Sequence, residues 1–274
     1  MSGVSAPQRP HVPHVPIESW PDALEATVAS ACTLLRTVIV LRETGSTQDH
    51  ARAAGIPVGA LVTAWRQSAG RGRLGRAWED THAAGVAVTF ALPDDAPESL
   101  AMRSAVATAR AVRSFLPGEA CGIKWPNDIV VDGRKIAGIL VERTAGLALV
   151  GIGINVGQES FHADIDAHAT SLARLGVHTD RLAVLDALIR SVDTAFQEPI
   201  EGIYRTYCTL DRLTGHSCAF NTPAGSVTGM VRSVDPRLGI QVETASGVLF
   251  LPSATTSVVP AHAGSRYGGA DVTR

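Results

Sequence analysis

The chain has 274 residues, 45% of them hydrophobic and 18% charged, with a net charge of −2. That composition supports a sizeable core and excludes both a disordered tail and a disulfide-stapled miniprotein. A near-neutral total also excludes nucleic-acid binding over the whole surface, so any anion site must be a local concentration of positive charge.

Residues 1–20 carry repeated prolines and two His-Val-Pro steps, which predicts a flexible arm, with the fold starting near Trp20. Apolar residues Leu24, Val28, Ala31 and Leu35 recur at helical spacing over 22–36, and 38–41 reads as a strand. Gly45-Ser46-Thr47 forms a loop that ends in an N-cap for a short helix over 48–54. Strands follow at 60–65 and 85–92, separated by a loop rich in arginine and glycine. A helix over 99–116 precedes four strands at 121–125, 128–131, 135–142 and 147–156, with Asp132-Gly133 as a hairpin turn. Helices over 181–196 and 200–208 close a main domain of residues 21–214. Short valine-rich runs between Gly, Asp-Pro and Ser-Gly turns then predict a small β-barrel or sandwich over 215–261, followed by a disordered tail over 262–274. Hairpins interleaved with single helices give an α+β class, with a mixed or antiparallel sheet and helices packed on one face.

Cys32, Cys121, Cys208 and Cys218 stand far apart with no C-x-x-C pair, which argues against a zinc site or a disulfide framework. The longest apolar run, near 147–154, is too short to span a membrane, and no apolar run follows a basic start at the N-terminus. A cytoplasmic, reducing location without membrane contact is expected.

Four segments carry chemistry. Of the 24 Lys and Arg residues only Lys124 and Lys135 are lysines; a compact ammonium is not interchangeable with a planar guanidinium, so lysines that persist in an arginine-rich chain mark places of interest. Gly70-Arg71-Gly72-Arg73-Leu74-Gly75-Arg76 matches G-x-G-x-x-G by its letters. No helical periodicity follows it, so a dinucleotide-binding turn is rejected. Backbone freedom beside three guanidinium groups suits wrapping a phosphate or carboxylate, with a solvated basic loop as the alternative. Lys124-Trp125-Pro126-Asn127-Asp128 places three polar side chains at a strand end, as a site or as a plain turn. Lys135 opens an apolar strand and can point into a cleft, while Gly151 and Gly153 leave space for a flat ligand beside Asn155, which either reads an adenine edge or caps a turn.

Taken together, these segments resemble the biotin protein ligases. Gly45-Ser46-Thr47-Gln48 and the runs 67–78, 124–128, 134–142 and 151–156 follow that family's order and spacing, although the family often has asparagine where this chain has Gln48. The resemblance implies a class II synthetase-like catalytic domain with a C-terminal SH3-like barrel. It also implies activation of biotin by ATP to biotinyl-5′-AMP, with transfer to a lysine of a biotin carboxyl carrier domain of an acyl-CoA or pyruvate carboxylase. By position, Lys135 and Arg71 would be catalytic. Biotin would meet Ser46, Thr47, Gln48, Gln67, Gly70, Arg71, Gly72, Arg73, Lys135 and Gly138. The nucleotide would meet Arg73, Trp78, Lys124, Asn127 and Asn155, Asp128 would orient the carrier lysine, and Mg²⁺ would bridge the phosphates through unnamed ligands. The segment before the central domain is too short for the family's DNA-binding winged helix-turn-helix, so no specific DNA partner is expected; a homodimer stays open as an assembly. The competing readings are a lipoate or octanoate ligase or transferase of the same fold, a non-catalytic DNA-binding regulator, and a binding module without catalysis.

Overall fold

The structure is a computed structural model that describes residues 15–79, 83–94, 97–116, 121–144 and 146–259. The first helix, α1 (Trp20–Ala31), has Pro21 in its first turn, where a missing N–H costs nothing. Its apolar periodicity runs on to Leu35, yet the helix stops at Ala31 because a distant carboxylate competes for the next amides. Asp193 accepts the N–H groups of Thr33 (3.0 Å), Leu34 (2.8 Å) and Leu35 (2.9 Å), and three bonds to a buried anion outweigh one more helical turn. The expected arm is also shorter than residue 20: the Val15 N–H donates to Asp180 at 3.0 Å and Trp20 is buried. The rest of the arm, and the tail expected over 262–274, lie outside the described residues.

The main sheet is built from β1 (Thr37–Thr44), β2 (Ala60–Gln67), β5 (Gly85–Pro93), β6 (Cys121–Lys124), β7 (Asp128–Val131), β8 (Arg134–Thr144) and β9 (Leu147–Asn155), in the order β1-β2-β5-β9-β8-β7-β6. Only β1 and β2 run parallel. The crossover between them holds α2 (Thr47–Ala54), as a parallel connection requires. Asp132 and Gly133 have φ of 48° and 75°, the paired left-handed conformations of the predicted β7–β8 turn. The segment between β2 and β5 forms a small ribbon of β3 (Gly70–Arg71) and β4 (Ala77–Trp78).

Alternation along β2, β5 and β9 sends Leu61, Phe90 and Val150 to one face and Val62, Ala91 and Leu149 to the other. The first face carries α1, α3 (Pro97–Arg113), α5 (Arg181–Gln197) and α6 (Ile200–Leu210) on a large continuous core. The expectation of helices on one face describes these four. The short α2 lies on the opposite face through Ala51, leaving most of that surface open. A one-turn helix, α4 (Ala163–Asp166), lies between β9 and α5.

The C-terminal segment folds into β10 (Ser217–Thr222), β11 (Gly225–Asp235), β12 (Gly239–Thr244), β13 (Gly247–Pro252) and β14 (Ser257–Val258), an antiparallel sheet in the order β13-β12-β11-β10-β14 consistent with an SH3-like domain. Its inward side chains, Phe220, Ile240 and Val242 among them, join the same apolar cluster as Ile123 and Leu213 of the main body. Gly122 has no room for a side chain because Arg212 crosses it, donating to the Cys121 carbonyl at 3.1 Å. Among the described residues no helix is long and apolar enough to cross a membrane.

Replacing Asp193 by alanine strands three backbone donors at the end of α1. Stability should fall by about 2–4 kcal/mol, seen in a thermal melt as a midpoint lower by roughly 5–10 °C.

Candidate active site

The open face of the sheet is cleared by glycine. Gly138 and Gly153 are register partners on β8 and β9, and a Cβ at Gly153 would overlap the Trp78 indole, while one at Gly138 would stand 3.0 Å from the same ring. Gly151 is matched in the same way to the Gln48 carboxamide. Above this floor lies a cavity of about 640 Å³. Every site residue expected from the sequence lines it except Gly70, whose missing side chain instead admits Gln67 and the Trp78 backbone.

At one end, the start of α2 supplies a buried polar wall. Ser46 caps the helix by accepting the Asp49 N–H at 3.3 Å. Gln67 Oε1 accepts from the Thr47 N–H (2.9 Å) and Thr47 hydroxyl (3.2 Å), so its carboxamide oxygen faces α2 and its Nε2 lies toward Gly70. Thr89 donates to Thr47 Oγ1 at 2.9 Å. Gln48 donates to the carbonyls of Leu149 (3.1 Å) and Leu140 (3.4 Å), so its amide hydrogens rivet α2 to the sheet.

The cations stand along the walls, each with a different counterpart. Arg71 holds Glu142 through two bonds (3.1 and 2.9 Å) and Asp49 at 2.8 Å; the Glu142 bond raises the guanidinium above its ordinary pKa. Burial tends to raise the Glu142 carboxyl, but hydrogen bonds from Arg71 and Arg52 hold it below the usual range. Arg73 donates to Asn127 Oδ1 at 3.2 Å and to the Ser253 carbonyl, and burial lowers its pKa. Arg76 reaches Ser257 Oγ at 3.3 Å. Lys135 pairs with Asp128 at 2.6 Å and lies 5.4 Å from the Trp78 ring centroid. Lys124 is buried at the end of β6, where desolvation lowers its pKa against the opposing pull of Asp128.

Both asparagines spend their amides on backbone: Asn127 Nδ2 donates to the Ile139 carbonyl at 3.1 Å and Asn155 Nδ2 to the Thr170 carbonyl at 2.9 Å. Asn155 therefore anchors the 157–170 segment as well as lining the cavity. That segment pairs with Lys135 through His168 O (2.7 Å) and Thr170 N (2.8 Å) and brings Phe161, Ile165 and His168 to the rim. Sequence reasoning missed these residues, whose one signal was a polar stretch between two strong elements. It also missed Ser257 and Val258, which line the cavity from the C-terminal sheet with no local signal.

The G-x-G-x-x-G letters form the β3–β4 ribbon with a single 3-10 turn at Arg73–Gly75, so no helix opens at Gly75 to receive a pyrophosphate. Leu74, exposed with φ of 56°, holds the left-handed conformation that non-glycine residues adopt at a local cost. Among the described residues no group of three or more His, Cys, Asp or Glu side chains could hold a metal ion. What the geometry offers is an apolar-floored slot, a hydrogen-bonding end wall and converging cations, suited to a ligand that carries carboxylate and phosphate groups.

The profile of the Biotin/lipoate A/B protein ligase family matches residues 38–159. Biotin--[acetyl-CoA-carboxylase] ligase of Mycobacterium tuberculosis is 33% identical over 216 residues, covering 73% of this chain and 80% of the relative. Bifunctional ligase/repressor BirA of Bacillus subtilis is 30% identical over 234 residues, covering 78% and 71% respectively. Among solved structures, biotin protein ligase from Aquifex aeolicus in complex with biotin and ATP superposes with a TM-score of 0.74 at 25% identity, over 83% of this chain and 100% of that one. With the glycine floor, the cation-lined slot and the C-terminal sheet all present, the chain belongs to the biotin protein ligases of the biotin/lipoate A/B protein ligase family.

Proposed function

We propose that the chain joins biotin to ATP to form biotinyl-5′-AMP and then transfers the biotinyl group to a lysine of a biotin carboxyl carrier domain of an acyl-CoA or pyruvate carboxylase. The observation that carries this reading is the convergence of Arg71, Arg73, Lys124 and Lys135 on one slot of about 640 Å³ whose far end is polar and uncharged. Biotin's ureido ring is a neutral bicycle rich in hydrogen-bonding atoms and fits the Ser46, Thr47 and Gln67 wall, and its carboxylate then extends toward the cations.

In the first step a carboxylate oxygen of biotin attacks the α-phosphorus of ATP, the bond to the bridging oxygen breaks, and pyrophosphate leaves with that electron pair. Both reactants are anions, so cations that stand at the developing charge lower the barrier. Lys135 is small enough to sit between carboxylate and α-phosphate, exchanging its bond to Asp128 for them. Arg73 and Lys124, which line the same slot, take the phosphates, and Trp78 covers the floor where the nucleotide base would lie. Arg71 sits between Glu142 and the slot and clamps the biotinyl end.

In the second step the carrier lysine's amine attacks the biotinyl carbonyl carbon, the acyl–phosphate bond breaks, and AMP leaves. Asp128, released from Lys135, is placed to orient that amine and accept its proton. The Mg²⁺ implied by the family resemblance finds no ready-made protein cage among the described residues; this ion commonly keeps its waters and binds through substrate phosphates. Among the described residues Cys32, Cys121, Cys208 and Cys218 are all free thiols, which favours a reducing, cytoplasmic location.

Incubation with biotin and ATP followed by mass spectrometry should show biotinyl-AMP, and addition of a carrier domain should convert it to a biotinylated lysine. Activation of octanoate or lipoate in place of biotin would overturn the reading.

Lys135→Ala should lower the rate of adenylate formation by about 10³-fold while the circular dichroism spectrum is unchanged, since removing one preorganised charge at a developing anion costs about 4 kcal/mol. Lys135→Arg should recover little of it, and a wild-type rate in the alanine variant would refute the assignment. Arg71→Ala should leave biotin bound but release the intermediate, raising free biotinyl-AMP in the medium by roughly ten- to a hundredfold, the equivalent of one or two charge-assisted bonds.

A further inference from the structure

Among the described residues, one buried cation stands outside every motif. Arg181 is the first residue of α5 and only 4% exposed. A cation there is opposed by the helix dipole, and taking it from water is costly, so the position needs a compensating set of contacts. Its guanidinium packs against two indoles, 3.9 Å from the Trp65 ring centroid and 5.1 Å from that of Trp20. Its Nη1 donates to the Trp65 carbonyl at 2.8 Å and to the Gly85 carbonyl at 3.3 Å.

Those two carbonyls belong to strands that have parted. β2 and β5 pair at Leu61↔Phe90, Val62↔Thr89 and Thr63↔Val88, and the ladder ends there. Continued pairing would next have joined residues 64–66 to 85–87. Instead β2 runs on to Gln67 beside β1, β5 starts at Gly85 beside β9, and the chain between them carries Arg71, Arg73, Arg76 and Trp78. The guanidinium bridges the gap where the ladder stops. A planar fork can serve two carbonyls and two aromatic faces at once, which a lysine cannot.

We propose that Arg181 is a positioning residue that fixes the two roots of the arginine- and glycine-rich segment, and through them the hold on the acyl-adenylate. This rests on the proposed function for its kinetic readout. It has a second readout that does not. Its contacts join the roots of the segment, so its loss acts on retention and on biotin binding more than on the chemical step.

The test compares wild type with Arg181→Lys and Arg181→Met at a temperature where circular dichroism shows all three folded. Expected are a KM for biotin about tenfold higher, release of free biotinyl-AMP raised about tenfold and kcat at saturating biotin within about threefold of wild type, with lysine a poor rescue. Hydrogen exchange should quicken over residues 66–78 and not over β8 and β9. Wild-type values of KM, release and exchange in a folded Arg181→Lys would overturn the proposal, as would slower kcat with unchanged KM and retention. If neither Arg181 variant folds, Trp20→Leu, which removes one stacking face, is measured instead: faster exchange over 66–78 supports the clamp and unchanged exchange overturns it. If wild type makes no biotinyl-AMP, the functional reading fails, and hydrogen exchange alone still decides the clamp.

Discussion

Arg71, Arg73, Arg76, Lys124 and Lys135 line one cavity, where like charges are less well screened from one another than in open water. The surrounding structure offsets that charge unevenly. Arg71 is neutralised by Glu142 and Asp49, and Lys135 by Asp128. Arg73 and Arg76 receive only neutral oxygens, from Ser253, Asn127 and Ser257. The pKa directions follow the same division: the Glu142 bond raises Arg71, whereas burial lowers Arg73 and Lys124. An anionic ligand therefore meets Arg73 and Arg76 without displacing a carboxylate from the bonds they make.

The same slot constrains the sheet beneath it. A flat group can lie directly on a β-sheet face only where side chains are absent. Gly138 and Gly153 provide that floor in register, and the Trp78 indole shields the backbone that glycine exposes. Trp78 then lies close enough to Lys135 for its ring face to favour the ammonium. A side chain at either glycine would displace the indole and with it one neighbour of the cation, so the floor and the Lys135 charge are a single packing problem.

Periodicity made the long elements legible: β8, β9, α3 and α5 fall within a few residues of their predicted spans because their burial is repetitive and local. The Asp132-Gly133 turn was equally readable, since two adjacent positive φ angles demand those residue types. The end of α1 was not, because it is set by Asp193, about 160 residues away in the chain, competing for the amides of Thr33 to Leu35. The site divides along the same line. Lys135, Arg71 and Ser46 were visible as charge or capping groups in short segments, and the anchoring bonds of Gln48 and Asn155 were not, since their amides are claimed by carbonyls on strands or segments that only the tertiary structure brings near.

Least legible was the part of the C-terminal sheet that enters the site. Ser253 and Ser257 lie in a turn and a two-residue strand with no feature to mark them, yet they are where Arg73 and Arg76 anchor. The ribbon that carries those arginines is thus held at two places: its roots are joined across the β2–β5 gap by Arg181, and its tip rests on a second sheet. A segment held only at its roots would swing, and one held only at its tip would lose its register with the glycine floor. Held at both, it keeps Trp78 over Gly138 and Gly153 while Leu74, exposed at the turn between the two arginines, absorbs the backbone strain. The C-terminal sheet, which shares its apolar cluster with β6 and α6, is in this sense a wall of the active site, and the bonds from Ser253 and Ser257 tie it to the arginines that line the cavity.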